Sequence, residues 1–434
     1  MRRHQFLLVS LLIGLTVSIL AGADQNEKPE KKSFRLKIGF SERIRQETWD
    51  NTVSFSQEEA DSRSQLRLRS TLSLQGFFKK NLELALKLTN ENRYYFAPKN
   101  LPWKIHETIV DNLYVKWDRV ARLPLTLTVG RQNITFGEGF LVADGGPLDG
   151  SRSYYFNAAR ADYQIGSKKT LTAFFFFQDE FDGFPLINDQ QQRMVEQPET
   201  GFGLYSNLAF NRSAWEPYLI VKHISASAAA PLASTITALG LRLATPLAES
   251  WKVRLEGAYQ TGSLGPADRS ALGGYVYVDF KPENRPRWPL ELSVGGIFLS
   301  GDNPGSAACE GWDPLFSRWP KWSDSFIYAL SRESRVAYWS NFVSLNGTLT
   351  FNFKPGLKTQ LGYFHLWAAQ STSATPFLSG NGRDRGDLVI IRFLYDVSRT
   401  LAGRLIVERF WPGNFYAAGA DPFTWIQFEL FFKF

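Results

Sequence analysis

From Gln65 to Gly76 the chain reads QLRLRSTLSLQG. Leu66, Leu68, Leu72 and Leu74 share one parity; Arg67, Arg69, Thr71, Ser73 and Gln75 share the other. Successive side chains of a β-strand point to opposite faces, so this segment predicts a strand that is apolar on one side and charged on the other. The pattern recurs. Asn81 to Asn90 sets Leu82, Leu84, Leu86 and Leu88 against Glu83, Lys87 and Thr89. Trp251 to Thr261 sets Trp251, Val253, Leu255 and Tyr259 against Lys252, Arg254, Glu256 and Gln260. Val343 to Phe353 sets Val343, Leu345, Leu349, Phe351 and Phe353 against Ser344, Asn346, Thr348, Thr350 and Asn352. The period is two, not the 3.6 of a helix.

A soluble sandwich also alternates. Here, however, the polar faces are long and charged in strand after strand, as a water-filled interior requires. Trp103, Tyr114, Trp117, Trp251, Trp288, Trp339, Trp411 and Trp425 fall near strand ends, where aromatic girdles meet the two membrane interfaces. With 35 Phe, 16 Tyr and 13 Trp the chain is rich in aromatics, yet mean hydropathy is only −0.22, because apolar residues come singly. After Ala23 no apolar run reaches spanning length. Lipid then admits only a closed sheet, since it cannot satisfy open backbone groups.

The expectation is an all-β, transmembrane, antiparallel up-and-down β-barrel in a bacterial outer membrane. Candidate strands between Phe34 and Phe434 number roughly 16 to 19. Even counts are the rule, so about 18 are expected, within 16–18, each about 9–11 residues long. A barrel of that width keeps an aqueous lumen unless loops fill it. Tight turns are expected at Phe78-Lys79-Lys80-Asn81 and Lys354-Pro355-Gly356. Long outer loops are expected over Asn92 to His106, Phe181 to Thr200, Ser300 to Arg335 and Ala369 to Arg385. The final segment WIQFELFFKF alternates up to Phe434, with Phe431 as its exception, and is similar to the assembly signal of outer-membrane barrels.

Residues 1–23 read as a secretion signal: Arg2 and Arg3, the apolar run Phe6 to Leu20, then Ala21-Gly22-Ala23 as cleavage site. Asp24 rather than Cys follows, which argues against a lipid anchor. The polar segment 24–32 reads as a disordered leader and 33–434 as the barrel.

Chemistry is sparse. Cys309 is the single cysteine and the four histidines are scattered, which excludes an internal disulfide and argues against metal clusters. No nucleophile elbow, phosphate loop or zinc-protease motif occurs, and Gly137-Glu138-Gly139 lacks the third glycine of a dinucleotide site. His106, His223 and His365 read as packing or hydrogen-bonding residues without a serine partner. Arg385-Gly386-Asp387 reads as a loop-to-strand turn rather than an adhesion motif. The expectation is no enzyme and no cofactor. Net charge is +7, without a compact basic tract that would suit nucleic acid.

The informative residues are the cations on polar faces: Arg35, Lys37, Arg67, Arg69, Lys87, Lys116, Arg160, Lys252, Arg254 and Arg404, with Glu83, Asp162, Glu256 and Glu408 among them. Each can be half of a structural ion pair. As a set in a confined lumen, an excess of cations attracts anions, and arginine binds carboxylates bidentately. Arg131 shares its parity with Leu127 and Val129 on the apolar face. It reaches the lumen only if the strand ends or bulges at Gly130.

One ordered series goes beyond pattern: Asp111-Asn112-Leu113-Tyr114-Val115-Lys116-Trp117, Val129-Gly130-Arg131-Gln132, Phe136-Gly137-Glu138-Gly139-Phe140, Asp144 to Arg152 and Asn157-Ala158-Ala159-Arg160. Asn90-Glu91-Asn92-Arg93 precedes it, and Gly301-Asp302 and Trp312 to Phe316 follow. The series resembles the alginate-export family of outer-membrane porins. The resemblance implies a barrel that passes an anionic polysaccharide along lumenal arginines opposed by acids, with loops that plug the pore. By resemblance the path positions are Arg67 or Arg69, Arg131, Arg152 and Arg160, with Arg392 and Arg404 added from late strands. The counter-charges are Asp144, Asp149, Asp162 and Glu138. Expected partners are outer-membrane lipid and lipopolysaccharide, an anionic poly- or oligosaccharide and periplasmic export proteins, for a monomeric barrel that binds no nucleic acid. A general or substrate-specific uptake porin and a plugged structural barrel remain alternatives.

Overall fold

A computed structural model describes residues 34–434 apart from 60, 79–80, 145–154, 188–192, 229, 283–289, 318–322 and 335–338. The expected signal and leader lie outside them. Eighteen strands form the wall: β1 Arg35–Asp50, β2 Arg63–Phe78, β3 Leu82–Ala97, β4 Lys104–Trp117, β5 Leu125–Gln132, β6 Phe156–Ile165, β7 Lys169–Gln178, β8 Glu199–Phe210, β9 Ser213–Ile224, β10 Ser234–Ala248, β11 Trp251–Leu264, β12 Ala267–Phe280, β13 Leu290–Leu299, β14 Phe342–Lys354, β15 Leu357–Trp367, β16 Asp384–Asp396, β17 Leu401–Pro412 and β18 Phe423–Lys433. Each is antiparallel to the next. The barrel closes where β1 pairs with β18, from Ser41 against Lys433 to Asp50 against Thr424. Phe40 and Phe434 exchange both backbone hydrogen bonds there, at 3.2 and 2.8 Å.

The alternation sorts the faces as expected. Leu239 and Leu345 are 65% and 60% exposed on the outside, whereas Arg67, Arg69, Glu256 and Ser344 are buried inside. Closure leaves no free edge, as lipid requires. Strands run from 8 residues in β5 to 16 in β1, β2 and β3, and the longest exceed what spanning alone demands. One consequence corrects the expected loop over 92–106: β3 continues to Ala97 and β4 starts at Lys104. The turn at Pro355-Gly356 is as expected, with Gly356 left-handed at φ +79°.

The girdle is only partly as read. Trp103, Trp117, Trp251 and Trp411 are exposed. Trp339 and Trp425 instead point inward and are buried, and the Tyr114 hydroxyl donates to Glu83 at 3.1 Å. Trp288 lies outside the described residues.

The interior is not a uniform wet face. Towards the long-loop end, inward residues turn apolar: Ile236, Leu388, Ile390, Phe410 and Phe423 are almost wholly buried. Two loops fold in to meet them. In the first, the described residues 133–144 carry the short strands Ile134–Thr135 and Val142–Asp144, and the second of these runs parallel to Phe316–Ser317 from the loop after β13. Phe316 meets Phe176 edge-on at 4.3 Å. The second loop also carries a helix, α1 Phe326–Ser334. There Phe326 packs 5.1 Å from Phe410, and Tyr328 stacks on Trp49 at 5.3 Å. The Glu408 carboxylate accepts the Asp324 and Ser325 amides just before α1, at 3.1 and 3.2 Å, satisfying donors that a helix start leaves open.

Candidate functional site

Three constellations line the interior. The first is an ion-pair belt across six neighbouring strands, β17, β18 and β1 to β4. Arg404 and Arg45 bind Glu429 at 2.9 and 2.7 Å; Arg45 and Arg67 bind Glu47 at 3.2 and 2.8 Å. Arg67 and Arg93 share Glu91 at 3.4 and 2.9 Å, and Lys87 reaches Asp111 at 3.0 Å. The belt crosses the closing seam. A one-residue slip would turn these charges towards lipid, so it also fixes register.

The second centres on Arg131. Gly130, at φ +124°, approaches the β4 backbone so closely that an added Cβ would lie 2.3 Å from the Leu113 carbonyl oxygen. The next residue, Arg131, is 3% exposed. It grips Asp182 at 2.9 and 3.3 Å and lies 3.6 Å over the Tyr155 ring. It anchors Asp182 and its segment after β7 to the wall.

The third is a constriction. Gly137 and Gly139 are both left-handed, at φ +54° and +79°, which only glycine adopts cheaply. A Cβ on Gly137 would stand 2.7 Å from Arg242 Cδ. The Gly-Glu-Gly turn thus projects Glu138 onto the opposite wall. Its carboxylate accepts from Arg242 on β10 at 3.1 Å and from Arg254 on β11 at 2.5 Å. Arg242 also binds Glu216 at 2.7 Å, and Arg254 binds Asp279 at 2.5 and 3.0 Å. The turn is clamped by Phe136 stacked on Tyr205 at 4.4 Å and Phe140 stacked on Trp312 at 5.3 Å. Tyr218 and Tyr275 hold Glu256 beside it, both at 3.0 Å.

Space lies on both sides of this bridge. A vestibule of about 1330 Å³ opens at the short-turn end, lined among others by Lys252, Asp279, Glu291, Lys358 and Arg404. A cavity of about 190 Å³ lies between Glu138, Arg254, Tyr275, Tyr277, Trp312 and Trp339. Arg254 reaches Asp279 on the vestibule side and Glu138 on the cavity side.

A sequence profile described as "Alginate export" matches residues 34–423. The chain belongs to the alginate export family. No curated protein matches it. Solved structures share the fold at low identity. Pseudomonas aeruginosa OpdO aligns with TM-score 0.59 and 14% identity over 92% of this chain and 97% of its own. Pseudomonas aeruginosa OprD gives 0.56 and 11% over 92% and 95%. Pseudomonas aeruginosa OccK2 (OpdF), solved in complex with glucuronate, gives 0.56 and 12% over 92% and 97%. Family and fold together make this an outer-membrane channel barrel.

In this alginate export family member the residues expected on the path separate. Arg67 and Arg69 are buried in the seam belt. Arg131 does not meet the condition set for its reaching the lumen: β5 keeps its register through Gly130 against both neighbours, with no bulge, and the side chain is held by Asp182. Arg160 and Arg404 keep side chains 30% exposed, each paired, with Asp162 and Glu429 at 2.9 Å. Arg392 sits on β16 opposite Ile406. Arg152 and Asp149 lie outside the described residues, and Asp144 ends an inner strand. Glu138 meets two arginines, one of which, Arg242, sequence reading missed. Arg43, Arg45 and Glu47 were also missed: their outward neighbours Glu42, Gln46 and Thr48 are polar, so no alternation of hydropathy marked that half of β1.

One smaller reading changes. Arg385-Gly386-Asp387 lies in β16 rather than in a turn. Arg385 is buried and binds Glu333 of α1 at 2.5 Å. His365 is a hydrogen-bonding residue, as read, with Asp387 at 2.7 Å from Nδ1.

Proposed function

We propose that this chain is an outer-membrane conduit for carboxylate-bearing saccharides, with an acidic polysaccharide such as alginate as its cargo. The observation that carries the reading is a pair of wall arginines between the vestibule and the aromatic cavity, Arg254 and Arg242, whose shared loop ligand, Glu138, is itself a carboxylate. A guanidinium's planar fork matches a carboxylate and keeps its charge, and fixed cations in a narrow polar passage favour anions. Family membership and the glucuronate complex of OccK2 support the same chemistry. Arg404 and Arg160 are the proposed stepping points towards the constriction, with Asp162 and Glu138 as counter-charges. Residues 1–23 direct secretion, lipopolysaccharide surrounds the wall, and export proteins dock at the vestibule end of a monomer.

The test is current block in planar bilayers. Short oligoglucuronates should block at concentrations about tenfold below neutral glucans of equal length, the difference one charge-assisted hydrogen bond makes. Equal block by both would contradict the reading. A second reading, a barrel closed by its own loops, is favoured by the pairing of Val142–Asp144 with Phe316–Ser317 and the apolar packing around it. Absence of any conductance in the same recording would select it.

A further inference from the structure

The seam belt and the constriction use the same residue types but differ in access. Arg45, Arg67 and Glu47 have side chains at most 2% exposed, beyond reach of a solute. At the constriction Glu138 is 30% exposed and Arg254 22%. Glu138 also differs from the other acids there in origin. Glu216 and Asp279 come from the wall, whereas Glu138 comes from a turn that crosses the lumen to reach its arginines. Next to it the cavity is walled by rings: Tyr275, Tyr277, Trp312 and Trp339. At about 190 Å³ it is smaller than the ~300–1,000 Å³ of sites for drug-sized ligands, so it suits one sugar ring rather than a chain segment.

Resting on the reading of the chain as an anion conduit, we propose that Glu138 is a built-in stand-in for the cargo's carboxylate. Arg242 and Arg254 form a subsite for one uronate unit, whose carboxylate exchanges with that of Glu138 while its ring occupies the aromatic cavity. The exchange is neutral in charge: one carboxylate leaves the two guanidiniums as another arrives. Each arginine meanwhile keeps its wall partner, Glu216 at 2.7 Å or Asp279 at 2.5 Å. It requires rotation of one side chain, since Phe136 and Phe140 hold the turn itself in place. Without a cargo carboxylate Glu138 bridges the two walls and closes the passage. With one, the closing contact opens at the arginines that bind the cargo.

The test compares wild type, E138Q, R254Q and R254K in planar bilayers, with glucuronate as probe and glucose as neutral control. The readout is the glucuronate concentration giving half block. E138Q removes the internal competitor and should lower that concentration about tenfold, with glucose unaffected. R254Q should raise it about tenfold, and R254K, which keeps charge but loses the fork, should fall between. If E138Q widens conductance to all ions while glucuronate half block stays at the wild-type value, Glu138 is a structural tie and the exchange is overturned. That outcome is distinct from failure of the conduit reading, which would appear in wild type as block by glucose and glucuronate alike. Heat-resistant migration on gels identifies folded barrels, and R254K supplies the arginine arm of the test if R254Q does not assemble.

Discussion

Glu47 accepts hydrogen bonds from Arg67 at 2.8 and 3.1 Å and from Arg45 at 3.2 Å, with its side chain wholly buried. It is the hinge of the seam belt, joining two adjacent strands beside the point where the barrel closes. Removing one partner from a buried pair costs roughly 3–5 kcal/mol, because the other charge stays buried without compensation. E47Q should therefore weaken the closed barrel by about that amount. The check is urea unfolding followed by heat-modifiable gel mobility. A midpoint equal to wild type would show that the seam does not depend on this charge.

Phe316 ties the two inward loops to the wall. It is 1% exposed, lies edge-on to Phe176 and stands 5.3 Å from the Lys222 ammonium. Truncating a buried Phe costs roughly 3–5 kcal/mol, and here the loss falls on loop docking rather than on the wall. F316A should raise mean single-channel conductance and its noise while the barrel still resists unfolding. Unchanged conductance would mean that these loops do not obstruct the passage.

How much of this was legible depends on how local the cause is. The strand Gln65 to Gly76 announced itself because each outward Leu and inward Arg is a one-residue decision. Arg254 and Glu256 were visible for the same reason. Arg242 carries the same local signal, set between Leu241 and Leu243 with Leu239 on their face, but its inward neighbours Ala238, Gly240 and Ala244 are small and uncharged, so it was not read as part of a polar face. The inward apolar patch at Ile390, Phe410 and Phe423 was equally hidden. Those residues face inward for packing against loops more than fifty residues away, and a two-residue period cannot say what a strand's inner face will meet. Arg67 and Arg69 were placed inside correctly, but whether an inward arginine is open or locked depends on acids from other strands, here Glu47, Glu91 and Asp111.

Asp324 precedes α1, and burial pushes its carboxyl up from the ordinary range. Arg404, Arg392 and Arg45 oppose the rise, while Glu47 and Glu408 face it as like charges. The raised value means that the docked loop binds the proton more tightly than the undocked one. The resulting stabilisation is complete below the ordinary aspartate value of about 3.9 and is lost as pH rises through the raised value. Conductance should accordingly increase from acid towards neutral pH as α1 loosens. D324N, which cannot ionise, should flatten that profile. A wild-type profile with the opposite slope would place the titrating group elsewhere.

Anion passage through this outer-membrane barrel is the proposal on which the roles of Arg242, Arg254 and Glu138 depend. Its most direct test is the zero-current potential of the purified full chain in a planar bilayer under a potassium chloride gradient. The arginines of the constriction predict the sign of chloride preference, diminished in R254Q. A potential with the sign of potassium preference would contradict the claim.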